Sequence, residues 1–238
     1  ATQTFTGTID SVDGTDRGTV NVSGTAIKTT FASAIGATNN ILALNVTGTA
    51  MATFSSTLAA ATVTISSTNA TGTTFEGDVT GNVALTGSAA STVTFAADKK
   101  LVGALTAGTN NFGTAVFSAT TATTTLVSGA VGAAGANKLN SVTVAPASGI
   151  TATFGSTVDA TTLTHTGAGT LAITGNAIIT TTALSGTGTM QFNGDATTTA
   201  NIGMTPSIDA PCGTTVLCAR AAARPAATAT GGPASPRP

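Results

Sequence analysis

The regular spacing of phenylalanine constrains the fold of this chain more than any other feature. Five of the nine phenylalanines recur at nearly constant intervals along the chain, namely Phe31, Phe54, Phe75, Phe95 and Phe117. Phe154 and Phe192 follow at about two intervals each, and Ile173 lies midway between them. A repeat of about 20 residues is typical of one coil of a β-solenoid. We therefore expect Phe54, Phe75 and Phe95 to stack as a ladder on one inner face.

A longer internal similarity supports the repeat. The segment Ala52–Thr64 recurs later in the chain as Ala152–Thr164, with eight of its thirteen positions identical. This shift equals about five coils. The same alignment matches His165 to Ile65, which predicts an inward or groove-facing side chain for His165.

Short runs of alternating residues indicate strands, and turn residues close each run. Thr62–Ile65 and Ser91–Phe95 alternate β-branched and other apolar residues with Thr or Ser, as expected for half-buried strands. Asp13-Gly14 and Asn193-Gly194 supply turn chemistry. The chain is predicted to be all-β, a parallel β-helix (β-solenoid) with about 20 residues per coil. A β-sandwich, which is also built from Thr- and Val-rich strands, is the structural alternative.

The low charge of the chain excludes several classes of partner. Charged residues make up 7% of the sequence and the formal net charge is −1, so there is no basic field for nucleic acid or anionic lipid. No apolar run reaches the ~18 residues of a transmembrane helix. We expect neither a nucleic-acid partner nor a transmembrane segment in this chain.

The composition changes near Pro206 and predicts two regions. Residues 1–208 form the expected solenoid domain, and residues 209–238 form a Pro-, Ala- and Arg-rich flexible tail or linker. Proline cannot donate to a strand ladder, and five of the seven prolines lie from Pro211 onward. Cys212 and Cys218, the only cysteines, lie in this tail, where an oxidising compartment would allow them to close a small disulfide loop.

The ionisable residues are too few and too dispersed to predict a catalytic centre. His165 is the only histidine, and no Gly-x-Ser-x-Gly elbow accompanies it. The acidic residues that cluster are Asp10, Asp13 and Asp16, and their spacing fits a turn better than a calcium loop. Glu76 and Asp78 flank Gly77 and likewise indicate a turn. The chain is therefore predicted to be no enzyme, with no catalytic, cofactor-binding or metal-binding residues and no cofactor.

The remaining polar motifs have plain structural interpretations. Lys99-Lys100 is most simply a solvated pair that protects a strand edge. Asn21, Asn45 and Asn69 begin glycosylation sequons that a Thr-rich chain forms by chance. Thr-x-Thr triplets can bind ice when they recur once per coil, but here their spacing is irregular, which argues against an ice-binding face. They begin at Thr62, Thr92, Thr123, Thr151, Thr162, Thr180 and Thr197.

In composition and in the way their strands end, residues 1–208 resemble the passenger domains of bacterial autotransporters, especially the large rickettsial-type surface-antigen autotransporters. The resemblance rests on Thr/Ala/Gly/Asn-rich strands that close in Val-Thr-Gly, Thr-Phe or Leu-Thr-Gly. It implies a right-handed β-helix, secretion through the outer membrane and exposure on the bacterial cell surface. It also implies a role in adhesion or in a surface layer, with a host-cell or matrix receptor or neighbouring copies as partners. An ice-binding solenoid and a glycan-active β-helix enzyme are the alternatives.

Overall fold

The computed structural model describes residues 2–12, 14, 16–88, 90–121, 124–133, 137–198 and 202–203. These residues form two parallel sheets and no helix. Every strand pair in the two sheets is parallel, and each pairs with a strand one coil away along the chain. The fold is a β-solenoid of about eight turns with a spacing of about 21 residues. This confirms the predicted solenoid and excludes the β-sandwich, whose sheets are antiparallel.

The first sheet, called sheet 1, contains eleven strands. In spatial order they are β1 (Thr2–Phe5), β3 (Lys28–Phe31), β5 (Met51–Phe54), β7 (Thr73–Phe75), β9 (Thr92–Phe95), β12 (Phe112–Ala119), β14 (Leu139–Pro146), β16 (Val158–His165), β18 (Ala177–Leu184) and β20 (Ala196–Thr198), with β21 (Ile202–Gly203) also paired to β18.

The second sheet, called sheet 2, contains ten strands. In spatial order they are β19 (Thr189–Phe192), β17 (Thr170–Ile173), β15 (Thr151–Phe154), β13 (Thr124–Val127), β10 (Leu101–Val102), β8 (Val79–Leu85), β6 (Leu58–Ile65), β4 (Ile41–Val46) and β2 (Arg17–Val22), with β11 (Leu105–Ala107) also paired to β8.

Alternation along the strands sends apolar side chains inward and hydroxyls outward. Strand β12 shows the pattern clearly, since Ala115, Phe117 and Ala119 are buried while Val116 and Ser118 between them are half-buried. Successive side chains of a strand point to opposite faces of its sheet. The inward residues of all turns join into one continuous hydrophobic core.

Phenylalanine rings stack along the inside of sheet 1, as the spacing predicted. The Phe54–Phe75 and Phe75–Phe95 ring centroids lie 5.4 and 5.2 Å apart. The stack extends to Phe5 at one end and to Phe117 at the other, where the Phe95–Phe117 centroids are 4.8 Å apart. These distances match the spacing of neighbouring strands, so each ring marks one turn.

The column that contains these rings defines nine levels along the solenoid. This first inner column runs Phe5, Phe31, Phe54, Phe75, Phe95, Phe117, Val144, His165 and Leu184, as levels 1 to 9. The step between levels is not constant, and the step from Phe117 to Val144 is longer than the step from His165 to Leu184. It varies because the outward loops differ in length while the strands stay in register.

The expectation that Phe154 and Phe192 continue the same column was wrong. Phe154 pairs in register with Val127 and Ile173, and Ile173 pairs with Phe192. Ile173 does lie one level between the two phenylalanines, as expected. All of them belong, however, to a second inner column that runs Ile9, Ile35, Leu58, Val79, Leu101, Val127, Phe154, Ile173 and Phe192.

The alignment of His165 with Ile65 implied that both residues occupy the same inner column, and this was also wrong. Ile65 lies between Val46 and Leu85 on sheet 2, whereas His165 follows Val144 on sheet 1. The segment that starts at Ala152 is therefore displaced around the coil relative to its copy at Ala52. The two similar segments can begin on different sheets because each inner column requires only that apolar side chains alternate along the strand.

Several earlier predictions lie outside the described residues. The boundary between residues 1–208 and 209–238 falls there, as do the proposed flexibility of the tail and any pairing of Cys212 with Cys218. The handedness of the coil stays a prediction.

Candidate functional site

The outer face of sheet 1 carries a file of threonines, one on most levels. This long file has threonine at seven of the nine levels, with Val116 at level 6 and Ala183 at level 9. Its members in order are Thr4, Thr30, Thr53, Thr74, Thr94, Val116, Thr143, Thr164 and Ala183. The file arises because each threonine precedes the inward residue of the first inner column by one position.

A second file of hydroxyls lies beside the long file at levels 5 to 9. This short file is hydroxylated at every level and consists of Thr92, Thr114, Ser141, Thr162 and Thr181. Each member lies two positions before its partner in the long file, so the two side chains share one face of the strand. Together, the two files at levels 5 to 9 form what we call the hydroxyl face.

The hydroxyl face is uncharged and its hydroxyls are available to a partner. All ten of its side chains are half-buried, and none is ionisable. Within this described face only Thr92 uses its hydroxyl in a side-chain hydrogen bond, which it donates to the Ala90 carbonyl over 3.2 Å. Threonine has a restricted χ1 angle, so the array is stiff before any partner binds.

The Thr-x-Thr triplets are distributed over both sheets, which explains their irregular spacing. Thr92 and Thr162 begin triplets on the hydroxyl face, whereas Thr62 and Thr151 begin triplets on sheet 2. The triplet at Thr180 does not form an outward pair, because Thr182 points inward and is 3% exposed. Those beginning at Thr123 and Thr197 extend outside the described residues. Counting triplets therefore missed the hydroxyl face, where Ser141, Val116 and Ala183 interrupt the strict pattern.

His165 is an inward core residue, as expected for its side-chain direction. It is 0% exposed, and neither ring nitrogen has a hydrogen-bond partner of good geometry. Burial lowers the pKa of His165 below its usual value, while the backbone carbonyls of Gly169 and His165 itself act in the opposite direction. The ring of His165 therefore lies in the core and not on the surface of the solenoid.

Asp10, one of the clustered acidic residues near the first turn, stabilises the backbone of the next turn. One carboxylate oxygen of Asp10 accepts hydrogen bonds from the backbone N–H groups of Thr38 and Asn39, at 2.9 and 3.4 Å. Asp16 adopts a positive φ of 62°, and Asp13 lies outside the described residues. An open cavity of about 280 Å³ lies beside Asp10 and Arg17.

Asp98, which the sequence analysis did not single out, accepts four hydrogen bonds from the following turn. Its carboxylate accepts hydrogen bonds from the backbone N–H and hydroxyl groups of both Thr120 and Thr121, over 2.7 to 3.2 Å. The Thr121 hydroxyl contributes most to lowering the pKa of Asp98 from 3.8 to about 2, against an opposing effect of burial. Asp98 thus ties one turn to the next.

The other singled-out polar residues also have structural roles. Lys100 forms an ion pair with Asp78 over 3.9 Å, and its backbone N–H donates to the same carboxylate. Asn45 donates to the side chain of Asn21 on the preceding turn, and Asn69 donates to the carbonyl of Thr49. Glu76 is exposed in a turn.

Among the described residues, no group of three or more His, Cys, Asp or Glu side chains is placed to hold a metal ion. The described part of the chain likewise contains no helix that could span a membrane.

Comparison with known proteins identifies no relative. No protein-family model, curated protein or solved structure matches the chain.

Proposed function

We propose that this protein is a non-enzymatic bacterial cell-surface protein that acts in adhesion or as a surface-layer element. It would work through the outer face of its solenoid rather than through a pocket. The observation that carries the proposal is the long file, in which an uncharged hydroxyl side chain repeats on seven of nine levels of a stiff parallel sheet.

The chemistry of the described residues supports a surface role. The single histidine is buried among apolar neighbours, and Asp98 and Asp10 are engaged in hydrogen bonds within the fold. A surface without charge binds through hydroxyl and backbone groups and through shape. Such binding depends weakly on salt, since screening acts on charges.

The proposal is tested by measuring binding of the purified chain to cells and matrix proteins across a salt series. We expect saturable binding that changes little between low and physiological salt. Thr74→Lys should weaken binding, whereas Thr106→Lys should not. Thr74 and Thr106 are both half-buried between buried neighbours, but they lie on sheet 1 and sheet 2 respectively.

Three outcomes would contradict the proposal. One is the absence of binding to cells, to matrix proteins and to other copies of the chain. Another is binding that collapses as salt is raised to the physiological level. The third is turnover on a panel of glycans that is abolished by His165→Ala or by Asp159→Asn, a change at the buried carboxylate of the same strand β16. That result would instead establish the glycan-active enzyme.

A further inference from the structure

The hydroxyl face has a geometry that selects one kind of surface. We propose that its partner is ice, so that this protein adheres to ice through levels 5 to 9 of sheet 1. The inference rests on the proposed function, because it names the surface to which the adhesive face binds.

The first argument is the periodicity of the face. Hydroxyl-bearing side chains occupy the short file at all five levels and the long file at levels 5, 7 and 8, and the five levels pair with one another without a shift in register. Neighbouring parallel strands lie about 4.8 Å apart, and the Phe95–Phe117 rings directly beneath the face repeat at 4.8 Å. A two-dimensional array with a period of a few ångströms matches a crystalline lattice of water better than an irregular protein surface.

The second argument is complementarity in charge and hydrogen bonding. Ice presents neutral donors and acceptors in alternation, and each hydroxyl of the face can both donate and accept. No ionisable side chain lies on the hydroxyl face, so no strongly hydrated charge would hold liquid water at the contact. The half-buried threonine methyl groups, with Val116 and Ala183 in the same file, provide an apolar surface between the hydroxyls.

The third argument is preorganisation. Seven of the eight hydroxyls of the face form no side-chain hydrogen bond inside the described protein. The backbone is fixed by pairing on both sides at levels 6 to 8, and β-branched side chains have little rotamer freedom to lose. Binding would therefore cost little conformational entropy.

Other solid partners fit the face less well. Crystalline polysaccharides are usually held by exposed aromatic side chains stacked on sugar rings, and the phenylalanines of levels 5 and 6, Phe95 and Phe117, point inward and are 1% and 0% exposed. An anionic surface would need basic residues, and the face has none.

The test uses the full chain and a single ice crystal grown in its solution. The wild-type protein should produce thermal hysteresis and faceted crystals. Thr143→Lys, at the centre of the face, should lower the hysteresis several-fold. Thr64→Lys is the matched control, because Thr64 is also half-buried between two buried strand residues but lies on sheet 2. It should retain wild-type hysteresis. Circular dichroism and melting temperature verify that both variants are folded.

The outcomes separate this inference from the proposed function. Absence of hysteresis and faceting in the wild-type chain overturns the assignment of ice, even where binding to cells or matrix persists. Equal loss of hysteresis in folded Thr143→Lys and Thr64→Lys overturns the assignment of the face. Binding to insoluble chitin or cellulose that Thr143→Lys abolishes, without hysteresis, would reassign the face to a polysaccharide.

Discussion

Phe117 and Phe154 meet edge to face, with ring centroids 5.5 Å apart and an angle of 73° between the ring planes. They belong to different columns, since Phe117 lies on sheet 1 and Phe154 on sheet 2. The contact marks the place where phenylalanine changes from the first inner column to the second. Below it the rings stack on one another, and above it the first column continues with Val144, His165 and Leu184.

The stacked rings predict a large loss of stability when one is removed. Phe75 is 0% exposed and lies between Phe54 and Phe95. Phe75→Ala should lower the free energy of unfolding by about 3–5 kcal/mol, because it removes a large buried side chain and leaves a cavity. Thr74→Ala, on the outer face, should change it by less than about 0.5 kcal/mol. Denaturant unfolding measures both, and equal effects would contradict the inward placement of Phe75.

Close stacking of turns predicts different costs for two glycines with the same backbone conformation. Gly36 and Gly149 have φ values of 71° and 75°. A Cβ on Gly36 would overlap the Ala59 carbonyl, whereas one on Gly149 would meet open space. Gly149→Ala should cost about 1–2 kcal/mol through its left-handed conformation alone. Gly36→Ala should cost clearly more, and equal melting temperatures of the two variants would be evidence against this packing.

The buried His165 predicts a pH dependence of stability. Its folded-state pKa is lowered from 6.5 by burial, so the unfolded chain binds the proton first as the pH falls below 6.5. The contribution of neutral His165 to the free energy of unfolding is therefore fully present above pH 6.5. It is lost as the pH falls toward the folded-state pKa. Neither β14 nor β18, the strands paired with β16, contains another titratable residue, and the titratable neighbour on β16 itself is the buried Asp159.

His165→Leu should remove this pH dependence. It should also raise stability at pH 8 by about 1 kcal/mol or more, since it replaces an unpaired polar ring with the residue type found at Leu184 in the same column. Melting temperatures of both proteins between pH 8 and pH 5.5 provide the measurement. Parallel curves for wild type and variant would show that His165 does not titrate as a buried group.

Asp98 predicts a second effect at lower pH. Its pKa falls from 3.8 to about 2 in the folded protein, so its contribution is present above pH 3.8 and is lost as the pH falls through about 2. Asp98→Asn tolerates the φ of 62° but lacks the charge that strengthens the bonds to Thr120 and Thr121. The variant should melt at a lower temperature than wild type at pH 7, and the difference should shrink near pH 2. A constant difference over this range would show that the charge of Asp98 is unimportant.

Much of the architecture could be predicted from residue order. The spacing of Phe31, Phe54, Phe75, Phe95 and Phe117 reports one inward position per turn, because large rings fit only inside and stack at the strand spacing. Alternation of β-branched residues with Thr or Ser gives the two faces of each strand. These are local properties, and a single sequence displays them directly.

The hydroxyl face could not be predicted in the same way. Its files depend on which residues share a column, and the columns depend on loops whose lengths differ from one turn to the next. Thr94, Val116 and Thr143 are adjacent in space although each lies on a different turn and the two steps between them are unequal. The hydrogen bonds from Thr120 and Thr121 to Asp98 could not be predicted from the sequence either, since they join residues on different turns.

The sequence by itself determined that this chain forms β-strands in a regular repeat, with a low charge and an apolar interior. Hydrophobic periodicity and β-branched composition suffice for that, because they act within each strand. Tertiary structure alone decided which turns align, and therefore that His165 lies next to Val144 in the first inner column and not in the column of Ile65. The physical reason is that parallel pairing fixes register between turns through backbone hydrogen bonds, which any residue can make, while the loops absorb the differences in length.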